Sequence, residues 1–157
     1  MIYVDTSALV PYYCPEDLSA KVQRHLDRRA DRAVSDLVEV ELCSAIARKV
    51  RANELAPGDG QRILSAFLAH LEAGVYIRLP VERRHYTLAR NWLAALKPPL
   101  AALDALHVAV AAAEGCPLIT LDAALARAAR ALGVAARVLR QNRGPAEPAP
   151  GRRRLRP

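Results

Sequence analysis

The chain has 157 residues, of which 52% are hydrophobic, and a net charge of +7. This length suggests one domain, and the apolar content is enough for a hydrophobic core, which excludes wholesale disorder. Neither an apolar run of membrane-spanning length nor the cationic and apolar segments of a signal peptide occur, so we expect a cytoplasmic protein without membrane contact.

Short apolar runs alternate with segments of helical spacing along the chain. In chain order they predict a strand at 2–4, a helix at 17–29, a strand at 33–34, helices at 36–52 and 61–71, a strand at 75–79, helices at 82–96 and 103–114, a strand at 118–120, a helix at 122–133 and a strand at 136–139. This alternation predicts an α/β fold, with a mainly parallel sheet of short strands that is covered by helices on both faces.

Local signals refine these bounds. The two prolines Pro11 and Pro15 predict an irregular stretch after the first strand. Asp36 and Glu39 have the spacing of a capping box at the start of a helix. The Pro-Gly pair at 57–58 predicts a break before the following helix.

The C-terminal segment differs in composition from the rest of the chain. Residues 137–157 hold seven arginines and one acid, Glu147, for a charge of +6, which leaves +1 for the other 136 residues. Gly, Pro, Ala and Arg dominate after Gln141, so we expect a domain over 1–140 and a disordered basic tail over 141–157. Such a tail is either a solvated arm that touches phosphates or a plain solubilising end.

The three cysteines do not form a recognisable site. Cys14, Cys43 and Cys116 are odd in number, and no two of them have the spacing of a zinc or redox motif. We therefore expect reduced thiols that are buried or half-buried, as is usual in the cytoplasm.

Two acids follow predicted strands. Asp5 comes directly after the strand at 2–4, and Asp122 follows the strand at 118–120. Ligand sites of open parallel sheets lie beyond the carboxyl ends of the strands, so both acids are candidate site residues. The alternative for each is a cap on the helix that follows.

Two further acids fall on apolar helix faces. Glu41 lies on the apolar stripe of the helix at 36–52, where a charge needs a partner, for which Arg48 is one candidate. Asp104 opens the almost wholly apolar helix at 103–114. His107 lies one turn further on, where it is either a hydrogen-bonded core residue or a residue that orients Asp104.

Four converging carboxylates would repel one another and raise each other's pKa values. A divalent cation removes this conflict, and ligation by oxygen alone favours Mg²⁺, with Mn²⁺ as a substitute, over zinc. Such an ion can activate water and stabilise charge on a phosphoryl oxygen. The sequence therefore predicts a metal site of Asp5, Glu41, Asp104 and Asp122.

Four short motifs, each with one of these acids, carry a resemblance to a known family. They are Ile2-Tyr3-Val4-Asp5-Thr6-Ser7-Ala8-Leu9, Glu39-Val40-Glu41-Leu42, Leu103-Asp104-Ala105-Leu106-His107-Val108-Ala109 and Thr120-Leu121-Asp122. In this order and spacing they resemble PIN-domain ribonucleases, specifically the VapC-type toxins of toxin–antitoxin pairs, over residues 1–140. The resemblance implies an α/β/α sandwich, Mg²⁺-dependent cleavage of RNA by the four acids, a homodimer and inhibition by a cognate antitoxin.

One departure and two alternatives accompany this resemblance. The family often has an arginine shortly before its third acid, where this chain has Ala101 and Ala102 and where Lys97 is the nearest cation. A haloacid-dehalogenase-like phosphatase would need a second acid two residues after Asp5, but Ser7 stands there. A catalytically silent PIN-like domain that binds RNA or a partner stays open, although loss of activity usually removes one of the acids.

Overall fold

The computed structural model describes residues 1–139, which form five strands and seven helices. In chain order these elements are β1 (Ile2–Val4), α1 (Thr6–Tyr13), α2 (Ser19–Leu26), β2 (Arg32–Ser35), α3 (Asp36–Arg51), α4 (Pro57–Glu72), β3 (Ile77–Leu79), α5 (Arg83–Ala94), α6 (Ala102–Ala113), β4 (Leu118–Thr120), α7 (Ala123–Ala131) and β5 (Ala136–Val138). The tail predicted over 141–157 lies outside the described residues.

The strands form one parallel sheet in the order β3-β2-β1-β4-β5. The central strand β1 pairs with β2 on one side and with β4 on the other, so that Tyr3 lies opposite both Ala33 and Leu118. The chain first builds the sheet outward from β1 through β2 to β3, and then on the other side through β4 to β5. The crevice between β1 and β4 is therefore the topological switch point, where ligands bind in such sheets.

Helices cover the sheet on both faces, which confirms the predicted three-layer α/β/α architecture. All residues of β1 and β4 are buried, because these inner strands have neighbours on both edges and helices above and below. The outer strand β5 is only partly buried. Helices α5 and α6 pack closely through small side chains, among them Ala89, Ala105 and Ala109. None of the helices in residues 1–139 has the length and apolar character needed to cross a membrane.

Three local predictions were wrong. Helix α1 continues through Pro11, whose ring is buried in the core, so that apolar packing offsets the lost backbone hydrogen bond. Pro57 begins α4 rather than breaking the chain, since the first helical position has no backbone partner to lose. The capping box does not form, because Asp36 accepts a hydrogen bond from the backbone of Val81 and Glu39 pairs with Arg78.

The cysteines are free thiols. Cys14 and Cys116 are buried as expected, whereas Cys43 is exposed, because its position on α3 faces away from the core.

Candidate active site

A cleft of about 520 Å³ opens at the carboxyl edge of the sheet, and all four predicted acids line it. We call it the acid cleft. Its other lining residues are three short polar side chains, one further acid, a histidine, two cations and four apolar residues: Thr6, Ser7, Ser44, Glu16, His107, Arg48, Lys49, Val10, Ala45, Leu103 and Leu125. The fold thus brings together acids that are separated by up to 117 positions in the sequence.

Asp5 is held at the floor of the acid cleft. It is only 3% exposed and accepts three hydrogen bonds, from the hydroxyls of Ser7 and Thr120 at 2.8 Å each and from the backbone of Ala8 at 3.1 Å. The Ala8 bond makes Asp5 the N-cap of α1, so the capping role and the site position coincide. Burial raises the pKa of Asp5, although the charge of His107 and these hydrogen bonds oppose the rise.

Glu41 reaches the acid cleft from α3, where two neighbours hold it. Its Oε2 lies 2.7 Å from Nε2 of His107 and also accepts a hydrogen bond from the hydroxyl of Thr6. Burial by itself would raise the pKa of Glu41, but the hydrogen bond and charge of His107, together with Thr6, lower it below its usual value. The alternative partner Arg48 makes no ion pair with Glu41 among residues 1–139.

His107 therefore orients Glu41, and the interpretation that it orients Asp104 was wrong. Its other nitrogen, Nδ1, lies 2.8 Å from the hydroxyl of Tyr3, which in turn lies 2.7 Å from the hydroxyl of Ser35. A carboxylate only accepts hydrogen bonds, so Nε2 of His107 carries the proton that it donates to Glu41. Burial raises the pKa of Tyr3, which keeps that hydroxyl a donor.

Asp104 stands in the first turn of α6 and is partly exposed to the acid cleft. Burial raises its pKa, and the charges of Asp122 and Glu41 raise it further, while His107 opposes the rise. The repulsion expected among the acids is thus present at this residue. The N-cap residue of α6 is Ala101, whose side chain makes no cap, and a hydrogen bond from the backbone of Ala101 opposes the rise in the pKa of Asp104.

Asp122 caps α7 and is exposed at the rim. Its Oδ1 accepts hydrogen bonds from the backbones of Ala124 at 2.6 Å and Leu125 at 3.0 Å. The capping alternative is therefore real for this acid, which also lines the acid cleft.

Two substitutions of Asp122 separate its two roles. Asp122→Ala is expected to lower the free energy of unfolding by about 1 kcal/mol, because it removes the cap, whereas Asp122→Asn keeps a cap of similar strength. Chemical denaturation measures both values. If the two variants were equally stable, the capping bonds would contribute nothing to stability; if both retained wild-type cleavage of RNA, the charge of Asp122 would not be needed.

Several supporting residues were not predicted from the sequence. Ser7 and Thr120 bind Asp5, Thr6 binds Glu41, and Tyr3 supports His107. Thr6 and Ser7 follow Asp5 directly and looked like ordinary helix starters. Nothing in the sequence marked Tyr3 as a site residue, because an aromatic residue within an apolar run cannot be distinguished from an ordinary core residue.

The donor set of the acid cleft fits a hard divalent cation, since its acids offer oxygen ligands only. In the described range 1–139, however, no group of three or more His, Cys, Asp or Glu side chains has the arrangement of a metal centre. Asp5, Glu41 and Asp122 each accept hydrogen bonds from nearby donors.

Comparison with known proteins agrees with this fold. Ribonuclease VapC3 of Pyrobaculum aerophilum is 28% identical over 125 residues, which cover 80% of this chain and 92% of that protein. The structure of VapC20 of Mycobacterium tuberculosis, a sarcin-ricin loop cleaving toxin, matches with a TM-score of 0.68 at 20% sequence identity. The match covers 82% of this chain and 95% of VapC20.

A chain of a toxin-antitoxin complex from Klebsiella pneumoniae has a TM-score of 0.56 at 15% identity, with 78% of this chain covering 87% of that one. At these identities the two solved structures show a shared fold, and the resemblance to VapC-type toxins rests on VapC3 and the motifs. The family model of the PIN domain matches residues 2–131, which is most of the chain. The chain therefore belongs to the PIN domain family.

Proposed function

We propose that the chain is a Mg²⁺-dependent endoribonuclease, with Mn²⁺ as a possible substitute, and that it acts as the toxin of a toxin–antitoxin pair. The observation that carries the proposal is the convergence of Asp5, Glu41, Asp104 and Asp122 on the acid cleft at the carboxyl edge of the sheet. Membership of the PIN family and similarity to ribonuclease VapC3 support RNA as the substrate.

The four acids would hold the ion. When bound, it would supply activation of a water molecule and stabilisation of charge on a phosphoryl oxygen. The protein contributes orientation: three hydrogen bonds fix the carboxylate of Asp5, and His107, itself held by Tyr3, fixes that of Glu41. Fixed carboxylates lose little further freedom when they bind a cation.

Electrostatics also favour a cation in the acid cleft. The pKa of Asp104 is raised by burial and by the neighbouring charges of Asp122 and Glu41, so its ionised form is disfavoured without a counter-charge. Arg48 and Lys49 line the same cleft but lie in the wall formed by α3, where Lys49 pairs with Glu16 at 2.8 Å. A divalent cation among the four acids would relieve their repulsion directly.

The partners follow from the same assignment. The resemblance to VapC-type toxins supports a cognate antitoxin that inhibits the nuclease, and the fold shared with a toxin-antitoxin complex is in keeping with it. A homodimer is proposed on the resemblance alone.

Metal dependence tests the proposal. The purified chain is expected to cut single-stranded RNA internally with Mg²⁺ or Mn²⁺, and cleavage is expected to stop in EDTA and to return when Mg²⁺ is restored in excess. Gel separation of end-labelled RNA measures the products. Undiminished cleavage in EDTA would refute the metal mechanism, and RNA binding without cleavage under every metal would instead support the catalytically silent alternative.

A further inference from the structure

A second cleft, of about 440 Å³, lies between α2 and the edge strand β5. Most of its lining residues are charged, and five of the nine are basic or histidine: Lys21, Arg24, His25, Arg28 and Arg137, with Asp17, Leu18, Ala20 and Leu139 completing it. We call it the basic cleft. It contains none of the residues of the acid cleft.

Three arginines of the basic cleft make no ion pair in the described part of the chain. Within residues 1–139, the guanidinium groups of Arg24, Arg28 and Arg137 have no hydrogen-bonded or ion-paired partner, and all three side chains are exposed. Asp17 is the one acid among the lining residues. Burial lowers the pKa of His25, and the charges of Arg137 and Arg29 lower it further, which reflects the same surplus of cations. The cations of the cleft therefore outnumber its acids.

Two cations of the basic cleft lie on one face of α2. Lys21 and Arg24 are spaced at i and i+3 in this helix, and Arg28 follows in the turn after the helix ends at Leu26. Arg137 of β5 supplies the opposite wall.

The basic cleft is continuous with the acid cleft. A shallow depression between them is lined by Glu16, Asp17, Leu18 and Lys49. Asp17 and Leu18 also line the basic cleft, while Glu16 and Lys49 also line the acid cleft. A ligand that is long enough can therefore occupy both clefts along one path over the surface.

We propose that the basic cleft binds backbone phosphates of the RNA strand at a distance from the point of cleavage, so that the strand runs from the acid cleft past Lys49 to α2 and β5. This proposal rests on the proposed function for its substrate. A polyanion is favoured over a helix of a protein partner, because the lining is mainly charged and its two leucines are only partly exposed or buried. Binding to phosphates carries no base specificity.

The sequence beyond the described residues adds to this charge. The description ends at Leu139, which lines the basic cleft. Residues 140–157 carry six arginines against one glutamate, a net charge of +5. This charge adds to the attraction of the whole chain for a polyanion.

Salt-dependent binding tests the proposal. The full chain is titrated in EDTA, so that no cleavage occurs, with a labelled single-stranded RNA long enough to span both clefts, over a series of KCl concentrations. The triple variant Arg24→Gln, Arg28→Gln, Arg137→Gln is expected to bind about tenfold more weakly or worse. The slope of log Kd against log salt is expected to fall by about 2, since each lost phosphate contact removes roughly 0.7 for a single strand.

A matched control removes the same charge elsewhere. Arg51→Gln, Arg83→Gln, Arg90→Gln changes three exposed arginines that line neither cleft, and it is expected to keep the wild-type slope and a Kd within about twofold. Exposed substitutions of this kind leave the fold intact, which thermal melts verify. An unchanged slope in the basic-cleft variant, or equal losses in both triple variants, would overturn the proposal.

Two more measurements separate the remaining outcomes. If the basic-cleft variant loses binding to a poly-glutamate peptide but binds RNA like wild type, the cleft serves an acidic protein segment and the proposal is wrong. Cleavage of RNA by the wild-type chain in Mg²⁺ is measured in a separate assay. A chain that binds RNA through the basic cleft without cutting it refutes the ribonuclease, whereas a chain that cuts and whose triple variant binds normally refutes only the role of the cleft.

Discussion

Replacing Asp104 by alanine is expected to reduce the rate of RNA cleavage on the order of 10³-fold or more while the fold persists. A catalytic metal ion contributes several kcal/mol of charge stabilisation, and each factor of ten in rate corresponds to about 1.4 kcal/mol. Asp104 is partly exposed, and the backbone donor that it contacts belongs to the exposed residue Ala101, so its removal leaves no buried donor without an acceptor. The initial rate on a labelled RNA, together with a melting curve, measures both effects.

Asp5 and Glu41 are better tested by amide substitutions, which preserve the size of the side chain. Asp5 accepts hydrogen bonds from Ser7 and Thr120, and its replacement by alanine would remove the acceptor that both hydroxyls share. Asp5→Asn and Glu41→Gln preserve size and one acceptor oxygen, so they are expected to lose cleavage to a similar extent with less damage to stability. Glu72→Ala, an exposed acid on α4, is the control and is expected to cleave normally. Full activity in Asp104→Ala would remove Asp104 from the site.

Mg²⁺ is expected to stabilise the wild-type chain and to stabilise Asp104→Asn much less. A ligand that binds only the folded state adds about 2.7 kcal/mol at a concentration of one hundred times its Kd. In the asparagine variant one charged ligand is missing, so the Kd rises and the added stability falls. Thermal melts in EDTA and in Mg²⁺ give the shift for each protein, with Glu72→Gln as a control of equal charge change that should shift like wild type.

Without Mg²⁺, the substitution Asp104→Asn is expected to have the opposite effect on stability. The pKa of Asp104 is raised in the fold by burial and by Asp122 and Glu41, so the stability that its protonated form contributes is lost as the pH rises through that pKa. At neutral pH Asp104→Asn should therefore be as stable as wild type or more stable. This difference in the free energy of unfolding should vanish below about pH 4, which is the ordinary pKa of an aspartic acid. Equal Mg²⁺ shifts in the two proteins would contradict a metal-ligand role for Asp104.

Local patterns in the sequence determined much of this protein. Apolar runs of two to five residues between helical segments were enough to predict the parallel sheet, because the crossover geometry of such chains permits few other arrangements. The four acids were identifiable because each interrupts an apolar pattern or ends a strand. The rule that the carboxyl ends of parallel strands share one edge placed Asp5 and Asp122 together, whereas Glu41 and Asp104, which lie on helices, joined them through the family resemblance of their motifs.

Contacts between distant residues were decided only by the tertiary structure. His107 lies one turn from Asp104 in the sequence, yet it binds Glu41, which is 66 positions away, because α3 and α6 meet at the acid cleft. The capping box at Asp36 had the right spacing, but the N-cap residue is Ser35, and Asp36 and Glu39 bind Val81 and Arg78 instead. The basic cleft forms only because the fold places α2 beside β5, although these elements are more than one hundred residues apart in the sequence. Periodicity records which face of an element is apolar, whereas the partner of a polar side chain depends on which elements the strand order places side by side.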